Sequence, residues 1–112
     1  MAGVGADERG DIVIVALPGD LGKPRPALIL QSDLFSETGS VVLVPITSTV
    51  VESMIRLTVQ PKPGNGLREL SQIMTDRITT TGRVKVGQVI GRLDQETMQE
   101  VSKRLTLFIG LV

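Results

Sequence analysis

A few residues in this chain have types and neighbours suited to chemistry. Arg25 stands between Pro24 and Pro26, where a loop meets an apolar run. The prolines fix the local backbone and limit where the guanidinium can point. A guanidinium is a planar, permanently charged fork that matches phosphate oxygens. Thr47 and Ser48 follow the apolar run ending at Ile46, and hydroxyls there can bond a phosphate or orient an attacking oxygen. Asp76, just after the strand expected to end at Met74, could accept a proton or hold a base. Lys23 and Arg77 could add positive charge as phosphate contacts. Each has an ordinary reading too: a solvated arginine or lysine at a loop edge, a turn whose hydroxyls satisfy backbone groups, an aspartate paired with its neighbour Arg77.

The chain has no histidine and no cysteine. That removes the commonest general acid–base residue, the commonest metal ligand, and all thiol and disulfide chemistry. No cofactor or metal site is therefore expected, and no Gly-Lys-Ser/Thr or Gly-x-Gly-x-x-Gly motif follows a strand. Any catalysis falls to Arg, Asp, Thr, Ser or Lys.

These residues need elements to hold them. Residues 11–17 form a continuous β-branched run and read as a buried strand. Two prolines and two glycines make 18–24 a loop. Strands follow at 27–31 and 40–46, and residues 55–60 alternate apolar and polar as a half-buried strand should. Residues 61–66 form a loop and 70–74 a further strand, with short candidates at 84–86 and 89–93 around Gly87. The period then changes. Met98, Val101, Leu105 and Phe108 recur at helical spacing, with Asp94 as N-cap and Gly110 as stop. Short, closely spaced strands and one final helix predict a small, mainly β domain, an antiparallel barrel or sandwich with a helix packed on it.

With 112 residues, one domain is expected, spanning 10–112 behind a loose leader at 1–9. Phe35 and Phe108 are the only aromatics, so Val, Ile, Leu and Met must build the core, and a second subunit could complete it. Twelve basic residues balance twelve acidic ones. Zero net charge argues against non-specific coating of nucleic acid, but permits a local basic groove. The chain has neither a membrane span nor a secretory signal, which makes the cytoplasm the expected compartment.

Three passages, in order, resemble the MazF/PemK family of toxins from type II toxin–antitoxin systems. Arg9-Gly10-Asp11-Ile12-Val13 is similar to that family's opening strand. Arg25-Pro26-Ala27-Leu28-Ile29 resembles its Arg-Pro-Ala-Leu signature, and Val44-Pro45-Ile46-Thr47-Ser48 its Pro-(hydrophobic)-Thr-Ser strand end. Fainter agreement continues through Gly66-Leu67, Ser71-Gln72-Ile73, Asp76-Arg77-Ile78 and Ile90-Gly91-Arg92-Leu93. The resemblance spans residues 9 to 111. It implies an SH3-like antiparallel barrel that forms a homodimer. It also implies a metal-independent, sequence-selective endoribonuclease acting on single-stranded RNA, and a cognate antitoxin that blocks the site. Catalytic roles are implied for Arg25, Thr47 and Asp76 and an RNA contact for Ser48, while Lys23 and Arg77 are expected to contact RNA through their charge. RNA and antitoxin would compete over loops 18–24 and 47–53. Two departures stand out. The first loop lacks the His-Glu-Gln stretch of some members, and Met74 occupies the place of a PemK-branch arginine that would protonate the leaving oxygen.

Other functions compete. CcdB-like gyrase poisons share the architecture, but end in a Trp-Gly-hydrophobic tail, and this chain has no tryptophan. A catalytically inactive SH3-like binding module would line its groove with aromatics, as would a stacking platform for RNA. Two phenylalanines are too few for either.

Overall fold

The computed structural model describes residues 7–19 and 22–111. Most of the expected leader (1–6), the centre of the first loop (Asp20 and Leu21) and Val112 lie outside the described residues. Among the described residues, seven strands and one α-helix follow in sequence: β1 (Asp11–Ala16), β2 (Pro24–Ile29), β3 (Ser40–Thr47), β4 (Leu57–Val59), β5 (Ser71–Ile73), β6 (Thr79–Gly82), β7 (Val86–Arg92) and α1 (Gln95–Ile109). The sheet runs β4-β5-β3-β2-β1-β7, with β6 also paired to β3. All pairs are antiparallel, and the sheet is open and barrel-like.

β3 organises this topology. One side pairs with β2. The other is shared: Ser40–Leu43 pair with β6, and Ile46 and Thr47 with β5. The change of partner falls at Pro45, which has no N–H to give a ladder. Its carbonyl accepts from Met74 N at 3.0 Å. The segment after β5 is thereby drawn to the end of β3 that carries Thr47.

The central strands read as unbroken apolar runs because both of their faces are covered. On β1, β2 and β3, Ile12, Leu28, Val44 and Ile46 enter one core, completed by Ile73, Leu93 and Val101 of α1. Val13, Val15, Ala27, Ile29, Val41 and Leu43 enter a second core on the other face. Residues at i and i+1 point to opposite faces of a strand, so a chain buried on both must be apolar throughout.

α1 begins and ends as its sequence indicates. Asp94 caps it by accepting from Thr97 N at 3.1 Å. Gly110 closes it at φ +85°, a left-handed conformation that suits glycine. Val101 is buried, and Met98 and Leu105 pack against the first core. Phe108 continues the stripe but is half exposed.

Four local features differ from the sequence reading. β2 starts at Pro24, so Arg25 lies within a strand; there β2 pairs only with β1, and the missing proline N–H groups need no ladder on the other side. β6 is an added strand. Of the candidates around Gly87, Val84 and Lys85 lie in a 3-10 turn (Arg83–Lys85), and Val86 to Arg92 form one strand, β7, paired with β1 across two register shifts. A Cβ at Gly87 would lie 2.9 Å from Ile14 O, so glycine permits this approach. Arg9, assigned to the leader, is docked: its guanidinium donates to Leu30 O and, at 2.6 Å, to Ser102 Oγ.

Candidate functional site

A groove of about 1050 Å³ opens where the ends of β2 and β3, the segment before β5, the turn after it and the outer face of β7 converge. Arg25, Thr47, Ser48 and Arg77 all line it, although fifty-two positions separate the first from the last. The β2–β3 register explains the central pair. The last β2–β3 pair at this end is Ala27 with Pro45; Arg25 lies two residues beyond it on β2 and Thr47 two residues beyond it on β3, and both line the groove. Lys23 and Asp76 are not among the lining residues.

Thr47 is half-buried at the end of β3, and its Oγ1 accepts from Thr49 N at 3.0 Å. The turn role open to it in the sequence is therefore occupied, but only as an acceptor. The hydroxyl proton is left to donate towards the groove. Ser48 is exposed beside it. Arg77 follows a turn closed by its own N–H donating to Met74 O at 2.8 Å. Met74 lies in the groove wall, where it offers surface but no proton.

Asp76 has a different setting. Arg56 grips it bidentately, with Nε to Oδ1 at 2.8 Å and Nη2 to Oδ2 at 3.0 Å. This pair replaces the Asp76–Arg77 pairing considered from the sequence. The hydrogen bonds from Arg56 hold the Asp76 carboxyl below the usual carboxylate range, against the smaller effect of burial. Asp76 is thus an ionised partner of Arg56. The pair belongs to a network that fixes the loop between β3 and β4. Thr75 Oγ1 donates to Ile55 O at 2.7 Å, and Arg104 of α1 donates to Arg56 O at 2.9 Å. Near the middle of the loop, the buried Gln72 amide donates to Val51 O at 2.7 Å.

The guanidinium groups divide by use. Arg9, Arg56, Arg83, Arg92 and Arg104 all bond protein oxygens. Among the described residues, Arg25, Arg68 and Arg77 have no side-chain hydrogen bond or ion pair, and all three line the groove. A chain of zero net charge thus gathers its unpaired arginines in one place. Arg68 escaped the sequence reading because Leu67-Arg68-Glu69 has no marked pattern; the nearby Pro61-to-Gly66 loop was the one cue. Among the described residues, Glu69 is the only carboxylate in the lining. Among the described residues, no three His, Cys, Asp or Glu side chains are grouped to hold a metal ion. No described helix is long and apolar enough to cross a membrane.

Comparison with known proteins agrees with this geometry. Residues 8–109 match the family described as PemK-like, MazF-like toxin of type II toxin-antitoxin system. The chain is 38% identical over 105 residues to the probable endoribonuclease MazF of Mycolicibacterium smegmatis, which covers 92% of this chain and 96% of that protein. Among solved structures, an endoribonuclease in complex with its cognate antitoxin from a mycobacterial species superposes with a TM-score of 0.82. It is 23% identical and covers 96% of this chain and 98% of its own, a likeness of fold. The Mycobacterium tuberculosis toxin MazF-mt6 gives a TM-score of 0.78 at 26% identity, covering 89% of this chain and 96% of its own.

Proposed function

Because the chain belongs to the PemK-like, MazF-like toxin family of type II toxin–antitoxin systems, we propose that its groove binds single-stranded RNA and cleaves it. One observation supports the reading: Arg25 and Thr47 line one groove whose arginines have no protein partner among the described residues. Unpaired guanidinium groups on one concave surface are a site for a polyanion.

The chemistry needs no residue that the chain lacks. The RNA 2′-oxygen forms a bond to the adjacent phosphorus, and the bond from phosphorus to the 5′-oxygen breaks, its electron pair leaving with that oxygen. A 2′,3′-cyclic phosphate and a 5′-hydroxyl result, and the proton lost by the 2′-hydroxyl is balanced by the one gained at the leaving oxygen. Charge builds on the phosphorane oxygens, where the Arg25 fork meets it. The Thr47 hydroxyl donates to one of the same oxygens. Ser48 and Arg77 contact the RNA beside the scissile bond, and Lys23 lies next to the groove on the first loop. In our reading Asp76 acts through Arg56: it positions the turn that carries Arg77 and transfers no proton. The reaction proceeds without a metal.

The same groove serves regulation. A cognate antitoxin competes with RNA through an acidic or apolar segment that folds on binding, and the unpaired arginines favour an acidic one. The active species is a homodimer, a reading supported by the apolar side chains exposed at the end of α1.

The test is incubation of the purified protein with a long single-stranded RNA in excess EDTA, with the cut ends mapped. The expected result is cleavage at a recurring short motif, leaving 5′-hydroxyl ends. Arg25→Ala should slow it by about 10²–10³-fold, the usual cost of one preorganised charge-stabilising donor. Cleavage that vanishes in EDTA would overturn the metal-independent route. No cleavage of several RNAs would overturn the ribonuclease reading.

A further inference from the structure

Arg68 stands outside the chemistry described so far, and it is held in place more firmly than an exposed loop arginine needs to be. It directly follows Leu67, which is buried in the first core. Leu67 ends a loop fastened to β7. Asn65 is 4% exposed; its Oδ1 accepts from Lys62 N at 3.2 Å and Leu67 N at 3.0 Å, and its Nδ2 donates to Gln60 O at 3.0 Å. One side chain thus bonds three backbone groups within its own loop. Arg92 N donates to Gly64 O at 2.8 Å across to β7. The two backbones meet so closely that a Cβ at Gly91 would lie 2.2 Å from Asn65 C, and one at Gly66 2.2 Å from Ile90 O. On the far side, Ser71 begins β5 and is buried. Arg68 therefore rises from a stem fixed at both ends, with its guanidinium free and facing the groove of Arg25 and Arg77. Glu69, its neighbour in the lining, forms no ion pair with it among the described residues.

Resting on the ribonuclease reading, we infer that Arg68 binds a backbone phosphate of the RNA away from the scissile bond, so that the strand is held at three arginines. The rigid stem lowers the ordering cost of the contact, and a long-reaching cation with no acidic partner among the described residues gives up none of their contacts when phosphate arrives. Arg68 is a substrate-binding residue: it strengthens substrate and transition state alike, so its loss belongs in KM.

The test uses the full chain and a fluorescein-labelled single-stranded RNA spanning the mapped cut site, methylated at every 2′-oxygen so that it cannot be cut. Its affinity is measured across a salt series for the wild type, Arg68→Ala, Arg68→Lys and the distant Lys103→Ala. Arg68→Ala should bind more weakly, with the slope of log affinity against log salt shallower by about 0.7, one phosphate contact to a single strand. Arg68→Lys and Lys103→Ala should keep the wild-type slope. On cleavable RNA, Arg68→Ala should raise KM and leave kcat near the wild-type value. Wild-type affinity and slope in Arg68→Ala, with the wild type binding and cutting normally, would overturn the inference and leave the ribonuclease reading intact. Wild-type protein that neither cuts nor binds RNA overturns both.

Discussion

At the scale of single residues, two charged groups close in sequence have different work. Arg77 faces the groove with its guanidinium unpaired, while Asp76 turns away and is held by Arg56. The Asp76 carboxyl has its pKa lowered on folding, so its contribution to stability is fully present above the unfolded aspartate value near ~4. It is lost as pH falls through the still lower folded value. Asp76→Asn should therefore cost on the order of 1 kcal/mol at pH 7, the upper range for a well-aligned, partly exposed pair. Urea unfolding of the two proteins should converge as the medium is acidified below the usual carboxylate range. A difference that persisted at low pH would show that the pair is not the source. If Asp76 only positions the turn, the variant also keeps the shape of the wild-type pH–rate profile. Loss of a limb from that profile would return Asp76 to proton transfer.

At the scale of elements, glycine decides how closely the loop before Arg68 can lie on β7. Gly91 is the critical case, because the atoms a Cβ would meet are the Asn65 and Gly66 backbones, not a flexible side-chain tip. Gly91→Ala should lower stability by about 1–3 kcal/mol, the usual cost of forcing atoms into a filled site. Gly39→Ala, where a Cβ would meet nothing within 4 Å, should change it by no more than about 0.5 kcal/mol. Thermal or urea unfolding of the two variants reads the contrast, and equal midpoints would mean that the loop can lift at little cost. The loop between β3 and β4 is fixed by different means. Gln72 at its middle and Arg56, Thr75 and Arg104 at its end replace the ladder bonds that it lacks.

At the scale of the molecule, the helix carries more apolar surface than its own chain covers. Leu107, Phe108, Ile109 and Leu111 are 58%, 50%, 53% and 73% exposed, at the point where the stripe begun by Met98 and Val101 runs past the core. Surface of this kind marks an interface. Sedimentation equilibrium should give a mass twice the chain's 12.0 kDa, and Phe108→Glu should return it to that of one chain. A wild-type protein that stays monomeric at the concentrations where it cuts RNA would remove the homodimer from the mechanism.

What the sequence determined by itself was whatever depends on neighbours in the chain. Unbroken apolar runs gave the strands buried on both faces. The change to helical spacing, with Asp94 and Gly110 at its ends, gave α1, and the ordered short motifs gave the family. Arg25 and Thr47 could be named because each sits in a short passage that resembles the family's, where its own pattern left an ordinary role open. Tertiary structure decided what depends on partners far apart. β6, Thr-Thr-Thr-Gly, has no strand-like alternation and exists because β3 has a free side over Ser40–Leu43. Asp76 had two readings from the sequence, a catalytic carboxylate and a partner of Arg77 beside it, and its ion-pair partner, Arg56, lies twenty residues away across the β4–β5 hairpin. Arg68 has no motif at all. It becomes a candidate only when folding has given the other arginines their partners and left this one, with Arg25 and Arg77, facing the groove. Local pattern sets backbone conformation through short-range sterics and periodic burial, whereas the pairing of long charged side chains waits for the chain to close on itself.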